Sequence, residues 1–131
     1  MKKLLTLVLV LVLSLSATAA LADVKVVNVG TEGVYSPFTY VDESGKLTGY
    51  DVEVIRLVDE LLPDYEFNFV QTAWDGIFLA LDAGKIDMIA NNLGVNDERK
   101  EKYLFNEVPY LYSYNVLVTA ADNTDITSLE S

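Results

Sequence analysis

The chain of 131 residues contains no cysteine and no histidine. Without cysteine it can form neither a disulfide nor a thiolate metal site, and it offers no residue for lipid modification at a cleavage point. Without histidine it lacks the commonest general base and metal ligand. We therefore expect no metal, no cofactor and no catalytic residue, and a fold that is held together by its core alone.

Basic residues are also scarce. The chain has 9 lysines and arginines against 20 acidic residues, which gives a net charge of −11. Phosphate binding needs a basic face, so this balance argues against nucleic acid, DNA included, as a partner. It argues equally against an anionic membrane surface.

The N-terminus has the pattern of a secretory signal peptide. Lys2 and Lys3 precede an apolar run at 4–13, and an A-x-A sequence ends at Ala22. The alternative is an N-terminal membrane anchor, but the apolar run is short for a span of about 20 residues. Removal of residues 1–22 takes away two lysines and no acid, which leaves 7 basic against 20 acidic residues and a net charge of −13.

Beyond residue 22, strand-like and helix-like patterns alternate. Strands are predicted at 24–30, 65–70, 86–90 and 114–119, and a polar hairpin turn at 42–46. Three helices are predicted. The first covers 50–62, the second runs from a capping box at 72–75 to a C-cap at Gly84, and the third runs from 96 to about 103. Such alternation predicts an α/β fold with a mostly parallel sheet and helices on both faces. Ligands of such sheets bind at the carboxyl ends of the strands, and three loops at predicted strand ends carry Tyr35, Trp74 and Arg99.

Arg99 stands where a basic residue is not expected. Asn96 is a good N-cap, which puts Arg99 in the first helical turn, where a positive charge costs roughly 0.3–1 kcal/mol. The free N–H groups of a helix N-terminus and a guanidinium together would make a two-part anion site suited to a carboxylate. The alternative is an ion pair with Asp97 or Glu98, or a solvated charged face at 98–102.

The other candidates have ordinary structural explanations as well. Tyr35 and Trp74 can form flat walls for a ligand, but they can also be rim packing and core. Asn92 can donate hydrogen bonds to a polar ligand and Gly94 can let it approach the backbone, or the two can simply form a turn. Asp51, together with Asp75, fits a first-turn helix acid, and no nucleophile–base pair or phosphate loop is present.

Three stretches carry a resemblance to a known family. They read "GVYSPFTY", "GKLTGYDVEVIRLV" and "FVQTAWDGIFLALDAGKIDMIANNLGVNDERKEKYLFNEVPY". They resemble the first lobe of the polar amino-acid-binding proteins of ATP-binding-cassette importers, which are solute-binding proteins of family 3, and look closest to the cystine-like branch. The resemblance covers residues 24 to about 128 and is most specific at 69–110.

The resemblance implies a role for each candidate residue. Arg99 matches the arginine that grips the ligand α-carboxylate, and Asn96 replaces the usual threonine three residues before it. Gly94 and Asn92 stand at positions that often bear hydroxyl groups. Tyr35 matches an aromatic residue that covers the ligand side chain, and Trp74 matches a cleft-lining position.

The resemblance also implies the organisation of the protein. Residues 1–22 would be the signal peptide and 23–131 an incomplete N-terminal lobe of a type II periplasmic-binding-protein fold, truncated before the second lobe. The expected protein is periplasmic or secreted, is a monomer when complete, binds an amino acid and delivers it to a membrane permease. The alternatives are an enzyme such as a cyclohexadienyl dehydratase or a sensor on the same fold, and a truncated fragment that binds nothing.

The signal pattern predicts the N-terminus of the exported protein. Cleavage after Ala22 should give a chain that begins at Asp23, which N-terminal sequencing of exported protein would read directly. A sequence that begins at Met1 would contradict cleavage.

Overall fold

The structure, a computed structural model, describes residues 23–126 and 128. It falls into two compact units, the first ending at Gly94 and the second beginning at Val95. The elements are β1 (Lys25–Thr31), β2 (Val34–Tyr35), β3 (Thr39–Val41), β4 (Leu47–Thr48), α1 (Tyr50–Leu61), β5 (Tyr65–Gln71), α2 (Trp74–Asp82), β6 (Met88–Ile89) and α3 (Asp97–Lys100). Among the described residues, no helix has both the length and the apolar character that crossing a bilayer requires.

A three-stranded parallel sheet forms the centre of the first unit. β1 lies in the middle and pairs with β5 on one side and β6 on the other. The predicted parallel sheet is confirmed, although β6 covers only the middle of the strand expected at 86–90.

Both faces of this sheet are covered by a helix. On one face, Val29 of β1 packs with Ile55 of α1 and with Ala90. On the other face, a Cβ added to Gly30 would lie only 3.3 Å from Ile77 Cγ1 of α2. Successive residues of a strand point to opposite faces, so α1 and α2 lie on opposite sides.

A second, antiparallel sheet of β2, β3 and β4 lies between β1 and α1 in the chain. Its hairpin turn is the polar turn predicted at 42–46. The Asp42 carboxylate accepts hydrogen bonds from the backbone N–H groups of Ser44 at 2.8 Å and Lys46 at 2.9 Å. Hydrogen bonds lower the pKa of the Asp42 carboxyl. The largest effect comes from the Ser44 hydroxyl, and the next largest from the Lys46 backbone N–H.

Only the C-terminal end of α2 is as the sequence predicts. At the C-terminus Gly84 has φ +65, and Gly84 N and Lys85 N donate to Leu81 O and Ala80 O, which is a Schellman motif. At the N-terminus the predicted capping box is wrong. Thr72 donates its backbone N–H to Thr31 O and its hydroxyl to Val70 O, so it continues the sheet, and Ala73 is the N-cap.

The strand predicted at 114–119 is also wrong. This segment has no regular structure, and Tyr114 and Val118 are 88% and 83% exposed. A strand needs a neighbouring strand for its backbone groups, and an apolar sequence pattern does not supply one.

Gly49 offers a test of how tightly the first unit is packed before α1. Its φ is +122, and an added Cβ would lie 2.3 Å from the backbone oxygen of Phe38. We expect Gly49→Ala to lower the free energy of unfolding by about 1–3 kcal/mol, since backbone atoms cannot move aside. Thermal unfolding followed by circular dichroism would measure it.

Gly76→Ala is the matched control. Gly76 lies inside α2 and an added Cβ would meet nothing within 4 Å. Alanine is the better helix former, so this variant should be more stable by about 0.5–1 kcal/mol. Equal loss of stability in both variants would contradict the packing described at Gly49.

Candidate functional site

The carboxyl ends of the three parallel strands meet at one edge of the central sheet. Thr31 of β1 is paired with Gln71 of β5, and Gly30 is paired with Ile89 of β6. The loops that follow these residues therefore leave the sheet at the same edge. Tyr35, Trp74, Asn92 and Gly94 all follow one of these three strand ends within a few residues.

Asn91 ties two of these loops together. Its side-chain oxygen accepts a hydrogen bond from Glu32 N at 2.9 Å, and its amide donates to Glu32 Oε2 at 2.8 Å. The same oxygen lies 3.3 Å from Thr31 Oγ1, which in turn contacts Thr39 Oγ1. Thr31, Thr39 and Asn91 are buried, and their mutual contacts satisfy groups that would otherwise be costly to bury.

Asn92 and Tyr35 are brought into contact. The amide Nδ2 of Asn92 lies 3.4 Å from Tyr35 Oη, although the two residues are 57 positions apart in the sequence. The Tyr35 ring packs against Phe38 with 5.2 Å between centroids and remains 42% exposed. An aromatic face and an amide thus lie side by side at the carboxyl edge of the sheet.

Trp74 begins α2 and is not a core residue. It is 39% exposed, and its ring packs edge-on against Phe78 with 5.7 Å between centroids. The helix buries Ile77 instead. Of the two alternatives for Trp74, a wall for a ligand or a core residue, the core is therefore wrong, because the first residue of α2 lies near the edge of the sheet and is partly exposed.

Gly94 ends the first unit. An added Cβ would meet nothing within 4 Å, so an approaching group would find open space beside this backbone.

Asn96 and Arg99 belong to the second unit. Asn96 has extended backbone angles, and its side-chain oxygen accepts a hydrogen bond from Arg99 N at 2.8 Å, so the predicted N-cap is confirmed. Arg99 lies in the first turn, as predicted, and is half-buried. The acidic neighbours contact lysines, Asp97 with Lys100 at 3.6 Å and Glu98 with Lys102 at 3.7 Å.

The helix that follows Asn96 is shorter than the sequence predicts. α3 has four residues, in place of the expected run from 96 to about 103. A single turn adds up only a few peptide dipoles, so its contribution to an anion site is small. Of the two parts of the predicted anion site, the helix part is therefore weak, and the guanidinium of Arg99 is the part on which that prediction depends.

Two residues of the edge were undervalued by sequence reasoning. Asn91 was not singled out, because nothing in the sequence pattern distinguishes this buried amide from its half-buried neighbour Asn92. Asp51 was explained as a first-turn helix acid, yet it is fully buried and its carboxylate accepts a hydrogen bond from Asn92 N. The sequence feature that could have indicated this burial is the position of Asp51 between apolar residues.

The six predicted site residues belong neither to a metal-binding cluster among the described residues nor to the open groove at Pro37. Within 23–126 and 128, no group of three or more carboxylates is arranged to hold a metal ion. An open groove of about 540 Å³ is lined by residues that include Pro37, Tyr40 and Leu57. None of the six predicted site residues lines it.

Comparison with known proteins identifies relatives of this chain. The family model of the bacterial extracellular solute-binding proteins, family 3, matches residues 27–128. A probable amino-acid ABC transporter-binding protein of Haemophilus influenzae is 48% identical over 106 residues, which are 81% of this chain and 40% of the relative. The L-cystine-binding protein TcyA of Bacillus subtilis is 45% identical over 111 residues, 84% of this chain and 40% of the relative. The chain thus spans about two fifths of the length of these curated relatives.

Solved structures agree with the fold. The L-cystine solute receptor of Neisseria gonorrhoeae, in its unliganded open conformation, has 48% identity and a TM-score of 0.57 over 61% of this chain and 34% of the receptor. A putative L-cystine ABC transporter protein of Listeria monocytogenes has 40% identity and a TM-score of 0.65 over 66% of this chain and 37% of that protein. A variant of the arginine-bound form of domain 1 from TmArgBP has 33% identity and a TM-score of 0.54 over 58% of this chain and 58% of that chain.

These matches agree with the geometry of the sheet and its edge. The fold is that of the first lobe of a type II periplasmic-binding protein, and the relatives are named as binding proteins and receptors. The chain belongs to the bacterial extracellular solute-binding proteins of family 3.

Proposed function

We propose that this chain is the ligand-binding lobe of the extracytoplasmic solute-binding component of an amino-acid ABC importer. Its ligand is a polar amino acid, with cystine as the first candidate because relatives at 45% and 48% identity are named for cystine. It delivers the ligand to a membrane permease and carries out no reaction on it. The relatives named as binding proteins and receptors favour this over the enzyme reading.

The contact between Tyr35 and Asn92 is the observation that carries the proposal. A half-exposed ring beside an amide, at the carboxyl edge of a parallel sheet, suits a small ligand with both apolar and polar atoms. Tyr35 would cover the ligand side chain and Asn92 would hydrogen-bond a polar group. Gly94 would let the ligand approach the backbone, and Trp74 would line the cleft.

Arg99 would hold the ligand α-carboxylate. A guanidinium presents parallel N–H donors that match the two oxygens of a carboxylate. The hydrogen bond from Arg99 N to the Asn96 side chain fixes the backbone from which the guanidinium extends. The Asn96 cap would therefore support the backbone of the proposed carboxylate anchor, Arg99, and it also begins α3.

The proposal includes the organisation of the protein. Residues 1–22 direct export, and 23–131 form the N-terminal lobe, whose partner in a complete and monomeric binder is a second lobe. The arginine-bound domain 1 from TmArgBP supports the idea that a first lobe carries ligand contacts of its own. Binding by the chain alone is therefore a fair test of the site.

Replacement of Arg99 tests the carboxylate anchor. Truncation of one partner in a buried, hydrogen-bonded charge pair costs about 2–5 kcal/mol. At about 1.4 kcal/mol per tenfold, Arg99→Ala should weaken amino-acid binding by roughly thirtyfold to several thousandfold. Arg99→Lys should recover only part of the affinity, because an ammonium lacks the planar fork. Isothermal titration calorimetry of the full chain with cystine and a panel of other amino acids would measure each Kd.

Lys102→Ala is the matched control for this series. Lys102 is an exposed cation three residues further along the chain, and its contact with Glu98 spans 3.7 Å. Surface pairs of this kind contribute about 0–1 kcal/mol, so its affinity should stay close to that of the unaltered protein. Equal affinities of Arg99→Ala and the unaltered protein would reject Arg99 as the anchor.

Trp74 allows an independent optical test, since the chain has 1 tryptophan. Because the ring is partly exposed, a ligand that covers it should shift and change its fluorescence emission. We expect a saturable change with the same Kd as calorimetry. Unchanged emission at ligand concentrations that calorimetry shows to be saturating would remove Trp74 from the site.

A further inference from the structure

Asp51 is a charged residue in an unusual place. It is the second residue of α1, and it is 0% exposed to solvent. Burial of a carboxylate is expensive unless the group is paired with hydrogen-bond donors. Replacement of a buried ionic group by a well-packed apolar residue often leaves the free energy of unfolding unchanged or raises it. A buried charge therefore calls for a specific explanation.

The Asp51 carboxylate holds the backbone of a proposed ligand-binding residue. Its Oδ2 accepts the hydrogen bond that the backbone N–H of Asn92 donates, across 41 positions of sequence. Hydrogen bonds to a carboxylate are roughly twice as strong as those between neutral groups. Asp51 therefore connects the first turn of α1 to the loop that follows β6.

Asn92 needs such support because of its backbone conformation. Its φ is +46, the left-handed region that residues other than glycine seldom adopt, although asparagine tolerates it better than most. In this conformation its side chain reaches Tyr35 Oη. Asn91, next to it, is held separately by its contacts with Glu32.

Two consecutive residues are thus tied to two different parts of the first unit. Asn91 is bound to the loop after β1, and Asn92 is bound to α1. The contacts of Asn91 and of the Asn92 N–H therefore both constrain the backbone of Asn92. A binding residue that is already oriented loses less conformational freedom when a ligand arrives.

We propose that Asp51 is a positioning residue of the amino-acid site. It holds Asn92 in the left-handed conformation that sets its side chain beside Tyr35, and in this way it raises affinity without contact with the ligand. The inference rests on the proposed function, because it takes Asn92 to be a ligand-binding residue.

Asp51→Asn is the informative variant, because it preserves the size of the side chain and removes the charge. Weakening of a hydrogen bond to a charged group should lower affinity for the amino acid by about tenfold. Calorimetry should be run at a temperature at which circular dichroism shows every variant to be folded. In two-dimensional ¹H–¹⁵N NMR spectra the Asn92 amide proton should move upfield and exchange faster, while the Val27 and Val29 amides stay unchanged.

Asp59→Asn is the matched control. Asp59 lies on the same helix, and its carboxylate likewise accepts a hydrogen bond from a backbone N–H, that of Phe67 at 3.0 Å. Phe67 lies within β5, away from the carboxyl edge of the sheet. This variant should lose stability while it keeps both its affinity and the Asn92 amide signal.

Each other outcome overturns a specific claim. An unchanged affinity in Asp51→Asn, an unchanged Asn92 amide, or equal losses of affinity in the Asp51 and Asp59 variants would overturn the positioning role. If Asp51→Asn does not fold, the unaltered protein still decides, since fast exchange of its Asn92 amide without ligand overturns the role and slow exchange supports it. Failure of the unaltered protein to bind any amino acid would instead overturn the proposed function.

Discussion

The parallel pairing of β1 with both β5 and β6 is the constraint on which the first unit depends. It brings three strand ends to one edge, so loops that lie far apart in the sequence become neighbours. Tyr35 and Asn92 meet only because β1 and β6 are adjacent and run in the same direction. An antiparallel β6 would deliver Asn92 to the opposite edge, and the aromatic face and the amide would not be close.

The polar side chains behind this edge stabilise a shape that apolar packing alone would not specify. Thr31, Thr39, Asn91 and Asp51 are all buried, and each takes part in a hydrogen bond to a different segment. Such a network is costly if any member loses its partner, and when complete it rigidifies the loops it joins. The apolar core around Val29 supports the sheet, while the polar network determines the conformation of the loops that leave it.

The sequence predicted those parts of the fold that depend on local patterns. The alternating apolar residues of β1 and β5, the hairpin turn at Asp42 and the cap at Asn96 are confirmed, because each is determined within a few residues. The capping box at Thr72 failed because the Thr72 N–H donates to Thr31 O of the neighbouring strand β1 and its hydroxyl donates to Val70 O of β5. The strand at 114–119 failed because strand formation depends on a partner elsewhere. The hydrogen bond of Asp51 with Asn92 could not be predicted locally either, since the two residues are 41 positions apart.

Net charge and local charge would act in opposite directions on the amino-acid ligand that we propose. After the predicted cleavage the chain would keep 7 basic and 20 acidic residues, which repel a carboxylate at long range, although the Debye length of about 8 Å at physiological ionic strength screens most of that repulsion. A single guanidinium within contact distance then outweighs distant acids, because the Coulomb energy falls with separation and rises in a drier environment. Arg99 is half-buried, and its acidic neighbours contact Lys100 and Lys102. The proposal that Arg99 holds the ligand carboxylate relies on this short-range attraction outweighing the repulsion by distant acids.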